Sequence, residues 1–134
     1  MSADRSASVP TRNADKKEET FAVWKAGIAE LGKRQNVVVK LGGLGMLFGM
    51  FDFHTRETPP SSEELASAYR PYIETCIVAF GPDRGMFESN FPPDGVSSSY
   101  AVLWNAFKRL AAGSSADEKA KLFGGTAKRV YRLT

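Results

Sequence analysis

The stretch Phe80-Gly-Pro-Asp-Arg-Gly-Met-Phe-Glu-Ser-Asn-Phe-Pro-Pro-Asp94 decides the reading of this chain. Gly81 and Pro82 stop a helix, residues 85–89 read as a short apolar strand, and Pro92-Pro93 keeps that strand from continuing. Gly85, Met86 and Phe87 are expected in a buried strand, with Glu88, Ser89 and Asn90 emerging where it ends. A helical pattern resumes near Ser98. Parallel α/β folds gather ligands at the carboxyl ends of their strands, which makes residues 88–90 the natural address for chemistry. An ordinary strand-to-helix loop would show the same spacing.

A second strand lies upstream. Asn36-Val-Val-Val-Lys-Leu41 is a β-branched run without polar alternation, the pattern of a strand buried on both faces of a parallel sheet. Residues 42–53 that follow are glycine-rich and apolar together, and Lys40 precedes the glycines, so no phosphate-loop frame exists. A mobile apolar loop over a pocket or partner and a loop packed on its own sheet both fit this composition. Asp52 and His54 stand two apart in it; in an extended loop both would face the same side, toward a substrate or a metal.

Helices surround these strands. Phe21, Trp24, Ile28 and Leu31 recur at helical spacing, and Gly32 with Lys33-Arg34 suits the end of that helix. Ser61 and Glu64 have capping-box spacing ahead of an inner face of Leu65, Tyr69, Tyr72, Ile73, Cys76, Ile77 and Phe80. Pro71 is expected to kink that helix or divide it. Leu103, Trp104, Phe107 and Leu110 form the next inner face, ended by Gly113. Ser115 and Glu118 repeat the capping-box spacing, Gly124-Gly125 should break the short helix that follows, and Thr126 could cap a last one.

Composition bounds the function. The 134 residues suffice for one domain with a core, and 43% hydrophobic with 25% charged residues is ordinary for a globular chain. The net charge of +3 is spread along the sequence, which argues against a nucleic-acid partner. No apolar run suits a membrane span or a signal peptide, so a cytoplasmic protein without a membrane partner is expected. The single Cys76 excludes an internal disulfide and should be a buried thiol. Residues 1–17, rich in Ser, Ala and charge, read as a disordered tail or the remnant of a gene fusion ahead of a unit over 18–134. Two strands are too few for a stable sheet buried on both faces, so neighbours for them are missing.

Three stretches carry a resemblance: Asn36-Val-Val-Val-Lys-Leu-Gly-Gly-Leu44, Ala79-Phe-Gly-Pro-Asp-Arg-Gly-Met-Phe-Glu-Ser-Asn-Phe-Pro92 and Phe123-Gly-Gly-Thr-Ala-Lys-Arg-Val-Tyr-Arg-Leu133. In this order they resemble the C-terminal end of the amidohydrolase-related (amidohydrolase 2 type) metal-dependent TIM-barrel hydrolases. The resemblance implies an α/β fold that is part of a (β/α)8 barrel. Residues 37–41 would be its seventh strand, 85–89 its eighth, 98–112 its eighth helix, and 116–132 its terminal helices. A whole barrel needs roughly 250 residues or more.

What the resemblance implies chemically is a hydrolase for small amide, ester or lactone substrates, or one that decarboxylates acids. A divalent metal such as zinc belongs to the complete barrel. His54 is the only histidine, so this chain alone is expected to hold no metal. The family's Asp at the end of the eighth strand is Asn90 here. A neutral amide can orient a substrate or water but cannot act as a general base. Asn90 is therefore the catalytic-position candidate, with Asp52, His54 and Glu88 as substrate-binding candidates; Glu88 could equally be a paired residue at the edge of the core. Arg56 and Arg84 could hold a substrate carboxylate, though Arg84 precedes its strand and so sits at the wrong end of it. Expected partners are a small-molecule substrate and either the missing barrel half or a second copy. The competing reading is a non-catalytic α/β interaction module, and a bare fragment without a function of its own is the third.

Overall fold

Both apolar runs become strands, and they pair with each other. The computed structural model of the chain describes residues 5–47 and 51–134, with side chains from Lys16 onward. Strands β1 (Val39–Leu41) and β2 (Gly85–Phe87) run parallel in the register Val39↔Gly85, Lys40↔Met86, Leu41↔Phe87. One further bond flanks the ladder at each end: Val39 N–H donates to Arg84 O at 2.8 Å and Glu88 N–H to Leu41 O at 3.1 Å. The strands are shorter than the expected 37–41 and 85–89, because among the described residues each has one hydrogen-bonding neighbour and pairing ends where that neighbour turns away. β2 is buried at every position. β1 is not: Val38 keeps 38% of its surface and Lys40 is exposed. Burial on both faces is thus corrected for β1, whose outer edge meets no strand among the described residues.

Helix α1 (Arg5–Gly32) begins inside the stretch that composition reads as a tail. Its Ala, Lys, Arg and Glu content favours helix even without burial. Phe21, Trp24 and Ile28 are half-buried on the face their spacing predicts, whereas Leu31 stays 46% exposed. Gly32 ends the helix where no larger residue fits: a β-carbon there would lie 2.5 Å from Ala79 O.

Helix α2 (Ser62–Phe80) opens with the capping box, both reciprocal bonds being formed between Ser61 and Glu64. Pro71 does not divide it; the helix is one run of 19 residues. Buried Leu65 and Tyr69 before the proline, and Ile73, Cys76 and Phe80 after it, hold both halves against one core. Cys76 is free and buried, as expected, and burial pushes its thiol up to about 11.

Ser99 caps α3 (Tyr100–Leu110), which packs Leu103, Ala106, Phe107 and Leu110 against α2. The second capping box also forms, between Ser115 and Glu118 at the start of α4 (Ala116–Ala120). Gly124-Gly125 does not break the chain's helical course. A π-helical turn over Lys121–Gly125 carries α4 into α5 (Thr126–Val130), anchored by buried Leu122 and Thr126. Thr126 is not a cap; its hydroxyl donates instead to Pro82 O, tying α5 to the turn before β2. Phe87 of β2 lies between the rings of Phe107 at 4.6 Å and Phe123 at 4.8 Å, which fixes the strand under α3 and the terminal helices. No helix among the described residues is long and apolar enough to cross a membrane.

Candidate functional site

Both strands end on the same side, and both are followed by residues that cannot be ordinary. After β1 the chain turns through Gly42, Gly43 and Gly45. A β-carbon at Gly42 would lie 2.4 Å from Glu88 O and 2.5 Å from Glu88 Cγ, so only glycine lets the two strand ends meet. Gly43 has φ +80, and a β-carbon there would face Asn90 Nδ2 at 3.7 Å and Glu88 Oε1 at 3.9 Å. The glycine turn is therefore a floor on which the Asn90 amide and the Glu88 carboxylate converge. Gly42 and Gly45 are closely packed, whereas Met46 and Leu47 are exposed. Phe51 and Phe53 pack inward, Phe51 lying 5.2 Å from the Tyr69 ring. Residues 48–50 of the expected loop lie outside the described residues.

After β2 the chain passes Glu88 and Ser89 and reaches Asn90 with φ 51, a left-handed conformation that asparagine tolerates better than most side chains. Pro93–Val96 form a 3-10 turn that brings Asp94 back under Asn90. Asn90 Nδ2 donates to Asp94 Oδ1 at 2.7 Å, and Gly45 N–H donates to Asp94 Oδ2 at 3.3 Å. Asp94 retains 2% of its surface, and its burial raises the carboxyl above the ordinary Asp range despite the opposing hydrogen bonds. Buried Ser97 donates from Oγ to Gly45 O at 2.6 Å. Burial, with the charge of Asp94 as a smaller cause, also drives the Tyr69 hydroxyl upward.

The expected site residues divide into two groups. Asn90 and Glu88 stand together at the end of β2, both half-buried. Glu88 has a partner: Lys40 Nζ lies 3.2 Å from its Oε2, and the hydrogen bond to Glu88 raises the lysine. Asp52 and His54 are not in an extended segment. A 3-10 turn spans Phe53–Thr55, with the Asp52 carbonyl accepting from Thr55 N–H at 3.0 Å and from its hydroxyl at 2.7 Å. The expectation that this pair faces one way is corrected for that reason. Both are exposed, and only His54 lines the nearby cleft of about 290 Å3, opposite Phe91 and Ser97–Ser99. Arg56 pairs with Glu64 at 2.9 Å. Arg84 points to the other end of the strands, as its position in the sequence implies.

Sequence reasoning missed Asp94, Ser97 and the specific fit of Gly45. Asp94 closes the quoted stretch, and an acid four residues after an asparagine in a Pro-Pro-Asp-Gly turn is a readable sign of a side-chain-closed turn. The grip of Asp94 and Ser97 on Gly45 joins residues far apart in the chain and has no local sign.

Zinc does not fit the donors at this site. Among the described residues no three of His, Cys, Asp and Glu come together. The strand-end residue is an amide, and both Asp94 oxygens are engaged by N–H donors.

The comparisons bear on the whole arrangement. The profile of the Amidohydrolase family (Amidohydro_2) matches residues 9–133. The protein y4mH of Sinorhizobium fredii is 41% identical over 113 residues, 84% of this chain and 34% of its own length. L-fucono-1,5-lactonase of Burkholderia multivorans is 35% identical over 124 residues, 89% of this chain and 38% of its own length. A crystal structure of an amidohydrolase from Burkholderia multivorans with bound zinc superposes with a TM-score of 0.72 at 31% identity, over 85% of this chain and 38% of that one. Another crystal form with bound HEPES gives 0.76 at 30% identity, over 90% and 40%. The chain thus spans 34–38% of the length of these curated relatives.

Proposed function

This chain belongs to the amidohydrolase family, and we propose that it forms the closing part of a (β/α)8 hydrolase barrel. In this reading β1 and β2 are the seventh and eighth strands, α3 is the eighth helix, and α4 with α5 are terminal helices. The observation that carries it is the end of β2: Asn90 and Glu88 emerge half-buried at the carboxyl end of a parallel strand, against the glycine turn that follows β1. Barrel enzymes hold their substrates at that end.

The reaction is hydrolysis of a small lactone, ester or amide, and the similarity to a lactonase favours a sugar-acid lactone. Asn90 contributes a hydrogen-bonding amide to substrate or water, not a base. Glu88 contributes a carboxylate held by an exposed lysine, and His54 lines the rim. A zinc in the completed barrel would draw its ligands from the part that precedes this chain.

The test joins an upstream barrel half to this chain, by co-expression or fusion, and follows hydrolysis of sugar-acid lactones and small esters by proton release. Turnover is expected, with kcat/KM lowered about tenfold or more in Asn90→Ala, the scale of one positioned polar contact. An assembly that folds and hydrolyses none of these substrates overturns the reading.

One observation favours a second reading, an association module. The open edge of β1 borders a groove of about 210 Å3 lined by Trp24, Ile28, Val39, Leu44, Tyr72 and Ile73. An unpaired edge beside an apolar groove takes another strand, from the preceding barrel part or from a second copy. Light scattering of the isolated chain separates the two, since a second copy gives a concentration-dependent dimer.

A further inference from the structure

Asn90 is not a free side chain at a pocket mouth. Its amide is one partner of a buried carboxylate whose other oxygen accepts from Gly45 N–H. We propose that Asp94 is the positioning residue of this site, fixing the Asn90 amide with its NH2 turned inward and its carbonyl oxygen presented as an acceptor, so that position 90 requires an amide and not a carboxylate. The catalytic consequence rests on the reading of Asn90 as a substrate contact; the positioning itself does not.

The chemistry leaves little freedom. A carboxylate only accepts hydrogen bonds, so the group facing Asp94 Oδ1 at 2.7 Å must be the NH2 of Asn90. The carbonyl oxygen lies on the opposite arm of the same trigonal carbon, turned away from Asp94. No donor among the described residues reaches it. The backbone closes the same turn, Asp94 N–H donating to Asn90 O at 3.0 Å. Gly45 N–H holds the second carboxylate oxygen. Asp94 therefore ties the turn after β2 to the turn after β1, and Asn90 is oriented by both.

An aspartate at position 90 would place two carboxylates at hydrogen-bond distance, and such a pair keeps a proton between them. The other groups near Asp94 do not relieve it: the Glu88 carboxylate adds like charge and the Tyr69 hydroxyl is neutral, while Lys40 pairs outward with Glu88. An acid introduced at position 90 would thus not be a free carboxylate.

The experiment compares the full chain with Asn90→Asp, Asp94→Asn and the exchanged pair N90D/D94N, by thermal melting from pH 4 to 8 and by side-chain amide NMR. In Asn90→Asp the shared proton raises a folded-state carboxyl above its unfolded value. Stability is then present below the unfolded value and lost as pH rises through the folded one. A melting temperature that falls progressively toward neutral pH is expected for N90D, and the exchanged pair, again one acid and one amide, should recover most of it. The wild-type Asn90 NH2 resonances should be split by the ionic partner and should collapse toward solvent-like values in Asp94→Asn. An N90D chain that melts like wild type at neutral pH overturns the proposal. So does an exchanged pair no better than N90D, including the case where both fail to fold. In the assembled barrel Asp94→Asn should lower kcat/KM about tenfold. If no assembly turns over while the melting pattern holds, the hydrolase reading falls and the positioning stands.

Discussion

The two ends of the β1–β2 pair are held by opposite means. At the amino end the chain is tied by side chains that reach backbone carbonyls. The Arg84 guanidinium donates to Gly32 O at 2.7 Å, Arg34 O at 2.9 Å and Val37 O at 3.2 Å, and lies over the Phe80 ring. Thr126 reaches Pro82 O and Arg129 reaches Asp83 O in the same region. These donors are matched to carbonyls and leave little capacity for a ligand. At the carboxyl end, side chains hold one another across glycines, and Asn90 and Glu88 remain half-buried. Barrel folds separate stability from chemistry in this way, one task to each end of the strands. The contrast predicts that losing the side-chain donors at the amino end costs folding alone, whereas losing the half-buried polar side chains at the carboxyl end costs function.

The largest effect should come from Arg84→Met. It removes the charged donor from three carbonyls, one of them at the end of α1, while keeping the apolar stem over Phe80. A loss of about 3 kcal/mol is expected from bonds made by a charged group, read by urea denaturation. An Arg84→Met chain as stable as wild type would break the comparison at its stronger end.

That role was half legible. The position of Arg84 before its strand already excluded it from the active end, by direction alone. Its three acceptors were not readable, because they lie 47 to 52 residues away. Local signals were read well: both capping boxes and the strand residues Gly85–Phe87 depend on near neighbours, although the strand ends at Phe87, before Pro92-Pro93 is reached. Where local propensity and tertiary packing disagreed, packing won, as at Pro71 inside α2 and at Gly124-Gly125 inside the π-helical turn. The candidate site shows the same division. Glu88 and Asn90 follow the end of β2 as the strand pattern predicts, whereas the bond from Gly45 to Asp94 joins residues 49 apart and has no local sign.

The next effect concerns the seam between the two strand ends. Gly42→Ala would push a β-carbon into Glu88 O and Glu88 Cγ, at 2.4 and 2.5 Å. Backbone must move, at a cost of about 2 kcal/mol, the scale of an overpacked core. Gly43→Ala meets nothing closer than 3.7 Å, but its φ of +80 strains any side chain, so a cost of about 1 kcal/mol is expected. Equal melting temperatures for the two variants would show that the glycine turn yields, and the floor under Asn90 would lose its rigidity.

Thr126→Val should cost less, about 1 kcal/mol, by leaving Pro82 O without its donor while keeping the buried shape. It sharpens the comparison because Thr126 belongs to the amino end. Its loss should lower the melting temperature and leave turnover of an assembled barrel unchanged per folded molecule.

The smallest effect on folding is expected at His54, on the carboxyl side. The residue is exposed, stands in a 3-10 turn that backbone and Thr55 bonds already close, and has no side-chain partner among the described residues. His54→Gln should therefore change stability by less than about 0.5 kcal/mol, as surface substitutions usually do. Its function, if the cleft shared with Phe91 and Ser97–Ser99 is the rim of the substrate site, lies in binding. In the assembled enzyme the variant should raise KM several-fold with kcat little changed, since a rim contact made equally to substrate and transition state affects binding alone. A fall in kcat at constant KM would place His54 at the reacting atoms. No change in either would remove it from the site and leave Asn90 and Glu88, at the end of β2, with exposed Asp52 as the remaining residues of the four first singled out.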